Sequence, residues 1–255
     1  MTLLRTVDLT ALNSATKYPS IPTYHELDPR NGGLLDTVTP FTGDVLLTEK
    51  IDGTNARIIT FAGGDYVIGS REELLHARGD LIHNPALGIV ETLRPLADRI
   101  TPPQNGIRVH YVEVYGGKVG SASRQYTGDQ RLGHRLFDVA TIPLDILEHP
   151  LTAISTWRDN GGQHYHTEDE LTLLAQTDTI ATVPRLATLP ATALPTGIDE
   201  THAFFLHHLT GTQAALDDGA GGRAEGIVLR TTDRSATAKA RFQDYNRTIK
   251  RRNKH

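Results

Sequence analysis

Apolar residues recur along this chain at two spacings. Short runs rich in β-branched residues, bounded by turn formers, predict strands over Val45–Lys50, Asn55–Phe61, Tyr66–Gly69, Ile107–Tyr115, Arg135–Ala140, Gly226–Thr231 and Thr237–Phe242. Gly63-Gly64 reads as the hairpin turn between the second and third of these. Over Leu87–Ile100 the spacing becomes helical (Ile89, Val90, Leu93, Leu96), with Pro102-Pro103 as the stop. Thr167 and Glu170 form a capping-box pattern that opens a helix through Gln176. His202–Leu216 predicts another helix, weakened by Gly211, and Pro184–Pro195 reads as loop with at most one short strand. Strands dominate both ends and helices the middle, so the expected class is α+β, with antiparallel sheets flanked by helices. There is no internal repeat and no low-complexity linker, and a single domain over 1–255 is the expectation.

Composition narrows the picture. The hydrophobic set is 38% and charged residues 22% of 255, ordinary for a globular enzyme. Without cysteine there are no disulfides and no thiolate-held zinc, which fits a reducing cytoplasm. No apolar run reaches the length of a membrane span, and the N-terminal stretch lacks the pattern of a signal peptide. Charge is unevenly spread. Lys239–His255 holds seven Lys/Arg against one Asp, so a net charge of −4 leaves −10 on the other 238 residues. A basic tail (239–255) on an acidic body suits a local contact with phosphates; a solvated terminus is the plain alternative.

Four segments carry chemistry. In Glu49-Lys50-Ile51-Asp52-Gly53-Thr54-Asn55-Ala56-Arg57 a lysine ends an apolar strand and is followed by a glycine that allows a tight turn or close approach by a ligand. In Arg108–Gly117, alternation puts Glu113 between Tyr111 and Tyr115 on one face, suited to a ribose or a metal-bound water. Glu225 stands beside Gly226 at the entry to an apolar strand, where a hard oxygen ligand suits Mg²⁺. Lys239 and Arg241, two apart on a strand, point to one side and would repel unless an anion such as phosphate lay between them. Each taken alone also fits an ordinary turn, strand face or surface alternation.

Together their order and spacing resemble motifs I, III, IV and V of the covalent nucleotidyltransferase superfamily of RNA ligases, DNA ligases and mRNA capping enzymes. Leu136-Phe137-Asp138-Val139 is similar to motif IIIa and Gly69-Ser70-Arg71 to motif Ia. The resemblance runs from about residue 45 to 245. Asn55 stands where DNA ligases and capping enzymes usually carry arginine, and EKIDGTNARI and KARFQDY look like RNA ligases. The resemblance therefore implies an ATP-grasp-like adenylation domain without a C-terminal OB-fold, since only 14 residues follow Arg241. NAD-dependent relatives need a further N-terminal domain and a four-cysteine zinc site, so ATP is the expected cofactor, with Mg²⁺ or Mn²⁺.

The implied reaction is the joining of 3′-hydroxyl and 5′-phosphate ends through AMP carried on Lys50. A lysine amine attacks only when neutral, from a reference pKa of roughly 10.4, so such a site has to disfavour the ammonium. The resemblance further implies catalytic roles for Lys50, Lys239 and Arg241. It implies nucleotide or end-phosphate contacts for Glu49, Ile51, Asn55, Arg57, Arg71, Glu113, Phe137, Glu225 and Ile227, with Phe137 stacked on adenine and the metal held by Glu225 and Glu113. The partners expected are RNA ends or a nicked duplex, an end-healing kinase or phosphatase, an accessory clamp protein, and no membrane. Alternatives are sealing of DNA or hybrid nicks, or a non-sealing nucleic-acid-binding relic. The glycine-rich Gly219–Gly222 and Gly116-Gly117-Lys118 lack P-loop spacing and read as turns; His164, His166, His202, His207 and His208 read as structural or exposed, and Trp157 as core or helix packing.

Overall fold

The computed structural model describes residues 6–78, 80–81 and 88–253. Leu87, the first residue of one predicted helix, and the last two residues of the basic tail lie outside them. The chain forms two compact units. One gathers the segment through Pro19, Gly53–Ser123 and Gln130–Thr182; the other gathers Ser20–Asp52, Arg124–Asp129 and Val183 onward.

The first unit is built on a seven-stranded sheet in the order His164–Tyr165, Leu132–Ile142, Ile107–Gly116, Thr54–Phe61, Tyr66–Ser70, Leu74–Ala77, Asp80–Leu81, every neighbour antiparallel. Alternation splits its apolar residues between two cores. Ala56, Ile58, Val112 and Val114 pack with Ile89, Leu93 and Leu96 of the helix Ile89–Ala97 and with Leu171 of the helix Glu168–Thr177. Ile59, Phe61, Val109 and Tyr111 pack on the other side with Ala11, Leu12 and Ala15 of the helix Leu9–Thr16 and Ile154 of Leu151–Asp159. Covering both faces explains why these strands read as continuous apolar runs. Asp8 caps the helix Leu9–Thr16, accepting from Thr10 N at 2.8 Å, and Thr167 and Glu170 make the expected capping box. The helix Ile89–Ala97 contains Pro95 and stops before the Pro102-Pro103 expected to end it.

The second unit holds a four-stranded antiparallel sheet in the order Arg185–Pro190, Asp44–Lys50, Gly226–Thr231, Thr237–Arg241, and a separate pair His25–Leu27 with Leu34–Val38. Val45, Leu47, Ile227, Leu229, Ala238 and Ala240 face a core shared with Ile198 and Phe205 of the helix Ile198–His208 and Tyr245 of the helix Phe242–Arg252. The opposite face carries Thr48, Lys50, Val228, Lys239 and Arg241. Two expectations shift. The helix expected over His202–Leu216 begins at Ile198 and ends at His208, because beyond Gly211 the backbone bonds elsewhere: Thr212 N to Gly222 O at 2.7 Å and Gln213 N to Glu49 Oε2 at 2.7 Å. The basic tail is strand and then helix. Arg252 reaches Asp36 at 3.0 Å and Arg251 the carbonyl of Asn31 at 2.9 Å, so part of its charge is spent inside the unit.

Candidate active site

Lys50 is the last residue of the central strand Asp44–Lys50, and Gly226 on the neighbouring strand pairs with it. That register sets Glu225, one residue before Gly226, next to the lysine: Nζ donates to Glu225 Oε2 at 2.6 Å, with both side chains largely buried. Burial pushes the Glu225 carboxyl up, and the charge of Lys50 opposes that rise. Gly226 also pairs with Arg241, and Val228 with Lys239, so both cations share the sheet face of Lys50. Two cations on one face were expected to need an anion. For Arg241 the fold supplies one: Nε donates to Asp244 Oδ2 at 2.8 Å, and Arg247 binds the other oxygen of the same buried carboxylate at 2.7 Å.

Glu49, beside the lysine, points the other way, into the unit. It is 1% exposed, and its carboxylate accepts from the Thr212 hydroxyl and from Gln213 N at 2.7 Å. Ile51 and Ile227 are both buried, and the Ile227 side chain belongs to the apolar core. Asp52 N donates to the hydroxyl of the fully buried Tyr126 at 2.7 Å.

In the other unit, Gly53 N donates to Glu113 Oε1 at 3.1 Å. Gly53 is a close-approach glycine, but what approaches is the chain's own strand: a Cβ there would lie 2.3 Å from the Val114 carbonyl oxygen and 2.9 Å from Tyr115 Cβ. Register pairs Asn55 with Glu113 and Arg57 with Tyr111. Asn55 Oδ1 is buried with no hydrogen-bond partner among the described residues. Arg57 is fully buried, donates to the Arg71 carbonyl at 3.0 Å and to the Asn13 side chain, and is pulled by burial to a pKa of about 10. It therefore holds the backbone of the turn that presents the exposed Arg71 side chain. Phe137 sits edge-on to Tyr18 at 5.0 Å and 6.2 Å from Tyr111, part of an aromatic group with Tyr165.

The fold thus brings Lys50, Glu225, Lys239 and Arg241 onto one sheet end of one unit, and Asn55, Arg57, Arg71, Glu113 and Phe137 into the other. Thr212, Gln213, Tyr126 and Asp244 are site neighbours that spacing did not reveal. Among the described residues no group of three or more His, Asp or Glu could hold a metal by itself. Glu225, a single carboxylate beside a cation-lined face, has the donor chemistry of Mg²⁺ sites, which take one or two carboxylates and fill the rest with water and phosphate oxygens.

Comparison with known proteins bears on the family and the fold. The RNA ligase family profile matches residues 43–250. A Naegleria gruberi RNA ligase variant solved with ATP and Mn superposes with a TM-score of 0.55 at 14% identity, over 93% of this chain and 63% of that one. A second variant of that ligase, also with ATP and Mn, gives 0.53 at 14% identity over 82% and 52%. An archaeal ATP-dependent RNA ligase gives 0.52 at 17% identity over 90% and 49%. The chain spans about half to two thirds of the length of these structures. No curated protein matches its sequence. With the profile covering most of its length and the α+β fold in common with these ligases, this chain belongs to the RNA ligase family.

Proposed function

We propose that this protein is an ATP-dependent RNA ligase that joins a 3′-hydroxyl to a 5′-phosphate through a lysyl-AMP intermediate on Lys50. The observation that carries the reading is Lys50 Nζ at 2.6 Å from Glu225 on the sheet face of Lys239 and Arg241. An attacking amine must first give up a proton, and desolvation together with Lys239, Arg241 and a divalent cation would disfavour the ammonium form of Lys50. Nζ then forms a bond to the α-phosphorus of ATP as the bond to pyrophosphate breaks. Lys239 and Arg241 supply positive charge to the phosphate, and Arg241, which cannot give up its proton in practice, serves by charge alone. A 5′-phosphate oxygen next attacks the lysyl-AMP phosphorus and frees the lysine. The 3′-hydroxyl attacks the activated 5′-phosphorus, and AMP leaves.

Glu113 is assigned to the ribose, Phe137 to adenine, and Arg71 with Asn55 to the nucleotide or the end phosphate; Arg57 acts through Arg71. Glu225 would serve as a carboxylate for Mg²⁺ or Mn²⁺, which neutralises the polyphosphate when bound. The likeness to a Naegleria ligase solved with ATP and Mn supports this choice of nucleotide and metal. RNA recognition would rest on 2′-hydroxyls near the reactive 3′ end.

The test is labelling with α-labelled ATP, followed by a panel of RNA, DNA and hybrid nicks and single-stranded ends, with ATP, GTP and NAD compared as donors. The wild-type chain should take label and seal RNA, and Lys50→Ala should take none. Label persisting on Lys50→Ala would end the assignment.

A further inference from the structure

A buried carboxylate immediately before the nucleophile needs a reason, because an uncompensated buried charge is costly. Glu49 is compensated twice, by the Thr212 hydroxyl and by Gln213 N. The Thr212 oxygen also accepts from Ala214 N at 3.1 Å, so its one proton is directed at Glu49. Neither Glu49 oxygen is left idle for a nucleotide.

The loop that begins at Thr212 is itself fastened to the segment Arg124–Asp129. Leu216 N donates to the Tyr126 carbonyl at 2.8 Å, Gly221 N to the Arg124 carbonyl at 2.7 Å, and Gly222 N to the Gln125 carbonyl at 3.0 Å. Tyr126 closes the circuit, since its hydroxyl accepts from Asp52 N at 2.7 Å. The chain on both sides of Lys50, at Glu49 and at Asp52, is thus tied to one interlocked pair of segments inside one unit.

We propose that Glu49, Thr212 and Tyr126 form a brace that aims the Lys50 amine, acting as positioning residues for self-adenylylation and not as nucleotide contacts. The inference rests on Lys50 being the nucleophile. Attack on phosphorus depends steeply on alignment, and a displacement of about 1 Å can cost about 100-fold in rate. Sealing of a strand that already carries a 5′-AMP does not use Lys50 as nucleophile, so loosening the brace should separate the two reactions.

The experiment takes Glu49→Gln, Thr212→Val and Tyr126→Phe in the full chain. Single-turnover lysyl-AMP formation is measured across ATP concentrations, alongside sealing of a pre-adenylylated RNA strand. Thr212→Val removes the donor to Glu49 and Tyr126→Phe the acceptor for Asp52 N; if the buried Glu49→Gln fails to fold, these two decide. The expected result is a maximal adenylylation rate lower by about 10- to 100-fold, half-saturation by ATP unmoved, and pre-adenylylated sealing preserved. Half-saturation shifted to higher ATP at an intact maximal rate would make Glu49 a nucleotide contact and overturn the brace. Equal losses in both reactions from folded variants would reduce it to general structure, and unchanged rates would remove it. A wild-type chain that takes no AMP would defeat the ligase reading itself, and the brace with it.

Discussion

Gly53 and Arg57 show how tightly single positions behind the lysine are specified. A methyl group at Gly53 would meet a backbone oxygen at 2.3 Å, which cannot swing aside as a side-chain tip can, and Glu113 Cγ at 3.1 Å. Gly53→Ala should therefore behave as overpacking, costing about 1–3 kcal/mol of stability, and should push Glu113 off the Gly53 N–H. Chemical denaturation of the variant against wild type checks this, and an unchanged midpoint would refute it. Arg57 shows the opposite economy: a guanidinium is buried whole, and two hydrogen bonds offset part of that cost. The sequence marks it as a cation available to phosphate; only its burial reveals that the hydrogen bonds go to Asn13 and the Arg71 backbone.

At the scale of elements, the interlocked segments Arg124–Asp129 and 211–223 have little apolar content of their own. They are held by backbone hydrogen bonds and by Asp217, which accepts from Gly128 N at 2.8 Å, from Gly219 N at 3.0 Å and from the Thr127 hydroxyl. Gly128 and Gly219 cross so closely that a Cβ on Gly128 would lie 2.9 Å from Gly219 Cα. Hydrogen bonding from Gly128 N, then from Thr127, holds the Asp217 carboxyl at about 2, below its ordinary 3.8. The folded chain thus binds a proton here less readily than the unfolded chain. The stabilisation is complete above the ordinary value and is lost as pH falls toward 2. Asp217→Asn should lower stability near neutrality and flatten the acid limb over that window, as followed by denaturant melts at stepped pH. An acid limb identical to wild type would exclude the carboxylate as the fastener.

Across the whole molecule, His25, His110, His134 and His166 are all held below their ordinary pKa of 6.5, in each case chiefly by burial. At His110 the carboxylate of Asp178, 3.5 Å away, pulls back toward the charged form without cancelling the desolvation. Histidines kept neutral in the fold but free to ionise once unfolded make the unfolded chain the better proton binder. Stability should therefore fall as pH drops below the ordinary histidine value. Thermal unfolding followed from about pH 7.5 to about 5.5 should show the midpoint decline. A constant midpoint would mean that the buried imidazoles are protonated in the folded chain.

What could be read from the chain alone was what local chemistry dictates. Strands came through because alternation and β-branching act over a few residues: Asp44–Lys50, Ile107–Gly116 and Gly226–Thr231 lie within a residue of their expected ends. The motif residues were legible only from their order and spacing together, since each alone also fits an ordinary turn or strand face. The helix Leu9–Thr16 and the helix Phe242–Arg252 were not, since the apolar faces of both are thin and each is stabilised by what it packs against. Which way each site side chain faces, and what it spends its hydrogen bonds on, was decided by tertiary structure. Glu49 meets Thr212 across 163 positions and Asp52 meets Tyr126 across 74. No periodicity carries information over such distances, because partners so far apart in the chain are chosen by the register and packing of whole elements.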